Sequence, residues 1–148
     1  MVMDWKKDLL TSDADLEALI RDTSSIAVLG IKPESRSSQP AYFVPHYMQS
    51  NGFRIIPVPV YYPEVNEILG EKVFRDLRDI PETVDMVNVF RRPNDISRHV
   101  DEILAARPIS VWIQAGLRND EAAEAFARAG IKVVQDKCLM VEHRALIR

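Results

Sequence analysis

The 148-residue sequence contains one cysteine, Cys138, and only five glycines. A lone cysteine excludes an internal disulfide, which agrees with a reducing compartment. No apolar run approaches the ~18 residues that a membrane-spanning helix needs. Residues 1–10 lack the apolar stretch and the cleavage site of a signal peptide, so we expect a soluble, cytoplasmic protein without membrane contact.

An excess of charge of one sign is also missing. Interspersed acidic and basic residues leave a formal net charge of -3, whereas nucleic-acid-binding domains are usually strongly basic. We therefore expect no nucleic-acid partner, and an anionic ligand would have to be held by a local group of donors. The length fits one domain, residues 1–148, since single domains commonly have about 100 to 200 residues. The oligomeric state stays open, and a homo-oligomer is compatible with the sequence.

Short apolar segments alternate with segments of helical periodicity. The predicted strands are 26–29, 53–58, 85–90, 110–114 and 131–134, with a short edge strand at 72–74. The predicted helices are 13–22, 40–50, a helix that begins near Pro93, 119–130 and 139–146. This alternation indicates an α/β protein with a Rossmann-like, doubly wound, mostly parallel sheet of five or six strands and helices on both faces.

The loop after the first strand has the composition of a phosphate site. Ligands of doubly wound sheets bind outside the carboxyl ends of the strands. Gly30 lets backbone approach there, and the helix that begins near Pro40 offers unpaired amides at the positive end of its dipole. The further donors in this loop are Lys32, Ser35, Arg36, Ser37 and Ser38. The alternative, a solvated serine-rich turn, is equally compatible with this segment alone.

The dinucleotide fingerprint is absent. It requires G-x-G-x-x-G and an acidic residue at the end of the second strand. The next glycine after Gly30 is Gly52, and the second strand ends in Val58 and Pro59. NAD binding is therefore disfavoured. ATP hydrolysis is also disfavoured, because no Walker pattern occurs. A phosphate-rich nucleotide without a nicotinamide is favoured.

Several segments together are more distinctive than any glycine pattern. They are "SIAVLG" (25–30), "DMVNVFRRP" (85–93), "VWIQAG" (111–116) and "DKCLMVEH" (136–143). With them, the chain resembles the small stand-alone CoA-binding proteins related to the N-terminal domain of the succinyl-CoA synthetase alpha subunit. The resemblance extends from about Ser24 to His143 and implies a Rossmann-like fold with a site for CoA or an acyl-CoA.

The resemblance also implies site residues by position. Phosphates would be held by Gly30, Ser35, Arg36, Ser37 and Ser38 with the amides of Ala41 and Tyr42, the nucleotide would lie on Val58 and Pro59, Phe90 and Arg91 would form the opposite wall, and Gln114 and Gly116 would face the pantetheine. Family members usually continue P-V-N-P with a basic residue after the second strand, but this chain reads "PVPVY" (57–61). That basic residue would pair with the 3'-phosphate of CoA. Arg36, Lys32 or Arg91 would replace it, or Tyr61 marks a weakened site.

No catalytic residue is assigned. The synthetase relatives use a phosphohistidine from another domain, and His46 and His99 fall on predicted helices where structural roles are common. Cys138 follows a strand and precedes a helix, where thiols are often activated, so a thiol enzyme or a disulfide with CoA is one alternative. A partner-binding regulator with a lost or altered nucleotide site is another. No His, Cys and carboxylate cluster has metal-ligand spacing.

Overall fold

Five parallel strands form the main sheet of the computed structural model, which describes residues 4–148. The first three residues of the N-terminal segment, used above against a signal peptide, lie outside this range. In chain order the strands are β1 (Ser25–Leu29), β2 (Arg54–Val58), β3 (Glu67–Ile68), β4 (Glu71–Lys72), β5 (Met86–Val89), β6 (Ser110–Ile113) and β7 (Lys132–Val134). The main sheet has the order β2-β1-β5-β6-β7, while β3 and β4 form a separate antiparallel hairpin.

Six α-helices lie within residues 4–148, the first before β1 and the others between or after the strands. They are α1 (Asp13–Arg21), α2 (Pro40–Ser50), α3 (Pro93–Ile96), α4 (Val100–Ala106), α5 (Asp120–Arg128) and α6 (Leu139–Leu146). Side chains cap two of them, because the Ser12 hydroxyl accepts from the Asp15 amide at 3.2 Å and the Asn119 side chain accepts from the Ala122 amide at 3.0 Å. Such caps satisfy amides that a helix start leaves unpaired.

The sheet is buried on both faces. Ala27 and Leu29 pack into one apolar cluster with residues of α4 and α5, whereas Ile26 and Val28 pack into a second cluster with residues of α1, α2 and α6. All four side chains are at most 1% exposed. Alternate residues of a strand point to opposite faces, so helices must cover both sides of a continuous apolar strand. The predicted doubly wound α/β fold is confirmed.

The predicted edge strand at 72–74 is wrong. Lys72 ends β4 in the separate hairpin, and the main sheet stops at β2. A single bond reaches the outer edge of β2, from the Phe74 amide to the Pro57 carbonyl at 2.9 Å. The amide and the carbonyl of one strand residue point to the same side, and proline has no N–H to return a second bond. Pro57 therefore interrupts pairing where a sixth strand would begin.

The predicted helix near Pro93 is divided. α3 leads into a 3-10 turn, Ser97–His99, and α4 begins at Val100. Ile96 and Ile103 still face the core and are fully buried, as their helical spacing predicts. The division places His99 beside Arg91, which follows the end of β5. No helix among residues 4–148 combines the length and apolar character needed to cross a membrane.

Candidate functional site

The direction of strand order reverses between β1 and β5, and Gly30 lies at this point. Its φ is +88°, and a Cβ at this position would lie 2.3 Å from the Phe90 carbonyl oxygen. Backbone bonds tie the strand ends together, from Gly30 N–H to the Val58 carbonyl and from Phe90 N–H to the Leu29 carbonyl, each at 2.9 Å. Only glycine combines this conformation with so close an approach. Gly30 thus fixes the mouth of the crevice where doubly wound sheets bind ligands.

A cavity of about 240 Å³ opens at this reversal. Its lining consists of Gly30, Ile31, Lys32, Val60, Tyr61, Tyr62, Phe90, Arg91 and Arg92. A second, more open depression of about 520 Å³ shares Val60, Tyr61 and Tyr62 and adds Pro63 and Arg75. Drug-sized ligands occupy pockets of about 300–1,000 Å³. The two depressions adjoin at the Tyr61 loop.

Arg91 supplies a buried positive charge in this cavity. Its side chain is 9% exposed, and its Nε–H donates to Nε2 of His99 at 3.1 Å. One terminal nitrogen lies 3.8 Å from the Asp95 carboxylate, and the guanidinium lies 5.7 Å from the centre of the Tyr61 ring. Burying an arginine is costly unless polar partners hold it. The partners of Arg91 hold its guanidinium beside Tyr61 in the lining of the cavity.

His99 is a functional candidate that the sequence did not indicate. Its Nδ1 is paired with the Glu102 carboxylate, whose other oxygen accepts from the Leu77 amide at 3.0 Å. Since arginine only donates, Nε2 of His99 must accept from Arg91, and the ring proton lies on Nδ1 towards Glu102. The contact depends on the turn between α3 and α4. No sequence pattern signals a pair eight positions apart across such a turn.

Tyr61 lies on a loop held by an arginine. Arg75 donates to the carbonyls of Tyr61 at 3.0 Å, Tyr62 at 2.9 Å and Val65 at 2.7 Å. Tyr62 has a φ of +63°, which is unusual for a non-glycine residue. Arg75 satisfies the carbonyls that this bent backbone turns outward. The Tyr61 ring is consequently presented with 60% of the residue exposed, between the two depressions and against Arg91.

The predicted phosphate loop lies beside the cavity. Glu34–Arg36 form a 3-10 turn, and the side chains of Ser35, Arg36, Ser37 and Ser38 are exposed and absent from the lining. Lys32 lines the cavity, and its Nζ donates to the Gln39 side chain at 2.8 Å. The Tyr42 amide already donates to the Gln39 carbonyl at 2.9 Å. Across residues 4–148 no acceptor is found for the amide of Ala41, which lies in the first turn of α2 and is 7% exposed.

Four other predicted site residues have internal contacts. Val58 and Pro59 are buried at the end of β2, one or two residues before the part of the loop that lines the cavity. Gln114 is 4% exposed, and its side-chain oxygen accepts from Asn88 at 3.2 Å and from the Leu139 amide at 3.3 Å. The Gly116 amide donates to Asp136 at 2.7 Å. Neither Gln114 nor Gly116 belongs to the lining.

The remaining histidines and Cys138 lie apart from this cavity lining. Cys138 is half-buried as the N-cap residue of α6. His46 is exposed, whereas His143 is buried and its Nδ1 lies 2.8 Å from the Tyr47 hydroxyl. Burial lowers the pKa of His143, so the neutral ring is favoured there. Within the described part of the chain, no three His, Cys, Asp or Glu side chains gather as metal ligands would.

Comparison with known proteins adds a family to this geometry. The model of the CoA binding domain family matches residues 24–144. Uncharacterized protein YneT of Bacillus subtilis strain 168 is 33% identical over 132 residues, which cover 89% of this chain and 94% of YneT. The structure of cell-free ID.343 from Thermus thermophilus is 41% identical, with a TM-score of 0.84 over 93% of this chain and all of the other.

One larger protein shares the fold at lower identity. The dinucleotide-forming acetyl-coenzyme A synthetase 1 of Ca. Korarchaeum cryptofilum, in complex with phosphate and ADP, is 20% identical, with a TM-score of 0.62. The match covers 74% of this chain and 25% of the synthetase chain. At this identity the likeness shows a common fold alone.

Proposed function

Because this chain belongs to the CoA-binding domain family, we propose that it binds CoA or an acyl-CoA at the carboxyl edge of the sheet, without catalysing a reaction on it. The observation that carries this proposal is the buried guanidinium of Arg91 in the cavity between β1 and β5. A fixed cation in a partly desolvated cavity is a strong partner for a phosphate group. The chain thereby acquires a local anion site despite its net negative charge.

The diphosphate of CoA would lie between Arg91 and the start of α2. Lys32 lines the same cavity, and the Ala41 amide, for which no acceptor is found across residues 4–148, would add a donor at the positive end of the helix dipole. The exposed hydroxyls and guanidinium of Ser35, Arg36, Ser37 and Ser38 would close over the diphosphate from the side. Tyr42, Val58, Pro59 and Phe90 would shape the walls of this site, and Gln114 and Gly116 would lie towards the pantetheine.

Tyr61 stands where the family resemblance implies a basic residue, and it would have a different role in the site. Its exposed ring lies against the Arg91 guanidinium at 5.7 Å. An aromatic face offers stacking to a base but no charge to a phosphate. Because Arg91 would bind the diphosphate and Tyr61 offers no charge, we propose that affinity depends more on the diphosphate than on the 3'-phosphate.

Calorimetric titration with CoA, dephospho-CoA, NAD and NADP tests the proposal. We expect CoA and dephospho-CoA to bind with affinities within about tenfold of each other, and both nicotinamide nucleotides to bind far more weakly. Binding of NAD or NADP in the absence of CoA binding would overturn it. Arg91→Gln should weaken CoA binding by roughly 10- to 100-fold, as expected for a lost charged hydrogen-bond donor. Arg21→Gln, at an exposed ion pair on α1, is the matched control and should bind as the wild type does.

A regulator with a lost nucleotide site would behave differently. Mass spectrometry of gently purified protein should detect CoA, either free or joined to Cys138, if the site is occupied in cells. Protein that carries no CoA and does not bind it in the titration would support the regulator instead. Detection of a disulfide with Cys138 that disappears in Cys138→Ser, with unchanged CoA affinity, would add a thiol role to the binding function.

A further inference from the structure

We propose that His99 is a positioning residue for ligand binding, which holds the guanidinium of Arg91 in an orientation that can meet a phosphate in the cavity. This inference rests on the proposed function in that the ligand to be bound is CoA. Three contacts in series carry it: Arg91 to His99, His99 to Glu102, and Glu102 to the Leu77 amide.

The orientation of Arg91 depends mainly on His99. Its Nε–H is used by Nε2 of His99 at 3.1 Å, and Asp95 lies 3.8 Å from one terminal nitrogen. The Asp95 carboxylate is shared, because Arg92 approaches it at 3.2 Å and Arg98 at 3.8 Å. Asp95 therefore constrains Arg91 only loosely. The histidine is the close partner, and it leaves the terminal nitrogens of Arg91 to meet an anion in the cavity.

His99 is itself held by Glu102. Its side chain is 13% exposed and that of Glu102 is 12% exposed, so water competes little for either. Glu102 is itself anchored to the backbone of Leu77, which begins a 3-10 turn packed on α4. The series consequently connects the rigid part of the fold to a side chain in the cavity. Second-layer contacts of this kind are what keep a binding group in its productive geometry.

Two variants separate positioning from bulk. His99→Gln can place an amide oxygen where Nε2 accepts from Arg91. We expect it to bind CoA within about twofold of the wild type, whereas His99→Ala should lose roughly tenfold, the usual size for a hydrogen bond to a charged group.

A ligand-free measurement keeps this inference distinct from the proposed function. The Arg91 Nε–H resonance, assigned with Arg91→Lys, should exchange slowly with water in the wild type and in His99→Gln, and rapidly in His99→Ala. Slow exchange in all three proteins, or equal CoA affinity of His99→Ala and the wild type, would overturn the positioning role while CoA binding stands. Absence of CoA binding in the wild type would instead overturn the proposed function, and the exchange data would still decide whether His99 holds Arg91.

Discussion

Two neighbouring parts of the same sheet edge use their polar groups in opposite ways. At the ends of β1 and β5, Arg91 and Lys32 line an open cavity. At the ends of β6 and β7, the polar groups bond to one another instead. There the Trp112 indole N–H donates to the Lys137 carbonyl at 2.8 Å, and the Gly116 amide donates to Asp136 at 2.7 Å.

This difference separates donors that could hold a phosphate from donors that are used within the chain. Both parts lie at carboxyl ends of parallel strands, where ligands of such sheets bind. Arg91 and Lys32 line the cavity of the β1/β5 part, whereas the Trp112 indole and the Gly116 amide of the β6/β7 part donate to acceptors within the chain.

Substitution of glycine should separate the two parts most clearly. Gly30→Ala brings a Cβ within 2.3 Å of the Phe90 carbonyl oxygen at a φ of +88°. We expect the free energy of unfolding to fall by about 3 kcal/mol or more, since strain and overpacking add. Gly116→Ala is the matched control, because its φ is +83° and nothing lies within 4 Å of the added Cβ. That variant should lose only about 1–2 kcal/mol in urea unfolding. Equal losses would show that close packing does not distinguish the two parts.

Local signals explain why much of the fold could be predicted. The bounds of α2 agree with the expectation because a proline stands at its first helical position. Those of α6 agree because its helical periodicity is clear. The position of Gly30 at the end of β1 could also be predicted, since a glycine directly after a buried strand has a local physical meaning. The missing edge strand is a different case, because the effect of Pro57 depends on which side of β2 its carbonyl faces.

Contacts between distant segments explain what the sequence could not provide. The pair of Arg91 and His99 requires the turn between α3 and α4, and no periodicity encodes that turn. Gln114 looked equally exposed to ligand from its position at a strand end, yet its side chain joins β5 to the start of α6. Polar residues at strand ends have the same appearance in a sequence whether their partners come from the chain or from a ligand.

Trp112→Phe tests whether the β6/β7 part is structural. The substitution leaves the Lys137 carbonyl without its indole donor and removes buried volume. We expect the free energy of unfolding to fall by about 2 kcal/mol, with CoA affinity within twofold of the wild type. Trp5→Phe, on a half-buried residue that stacks with Arg128 at 5.0 Å, is the control and should lose about 1 kcal/mol or less. A large loss of CoA affinity in folded Trp112→Phe would show that this indole bond also supports ligand binding.

Arg75→Gln tests the loop of residues 61–65, which borders the cavity of the β1/β5 part. It removes donors to three carbonyls between Tyr61 and Val65. Because Arg75 is exposed, we expect a loss of only ~0.5–1 kcal/mol in the free energy of unfolding. Amide exchange of residues 61–65 should nevertheless accelerate, and CoA affinity should fall about threefold as the Tyr61 ring loses its fixed position. Arg128→Gln, on the solvent side of α5, should change neither exchange in this loop nor affinity. Unchanged exchange in Arg75→Gln would contradict the role of Arg75.

The smallest effect on the free energy of unfolding should come from His143, which lies in the contact between α2 and α6. Burial lowers the pKa of His143 from its usual 6.5, so the unfolded chain takes up a proton at a higher pH than the folded chain does. The contribution to stability is therefore complete above about pH 6.5 and declines as the pH falls towards the folded-state pKa. Urea unfolding between about pH 7.5 and pH 5.5 should show this decline in the wild type and a shallower one in His143→Gln. His46→Gln, at an exposed position of α2, should retain the wild-type slope. If acid stabilised the wild type over this range, the neutral, buried form of His143 would be the wrong description, and its bond to the Tyr47 hydroxyl at 2.8 Å would have to favour the charged ring.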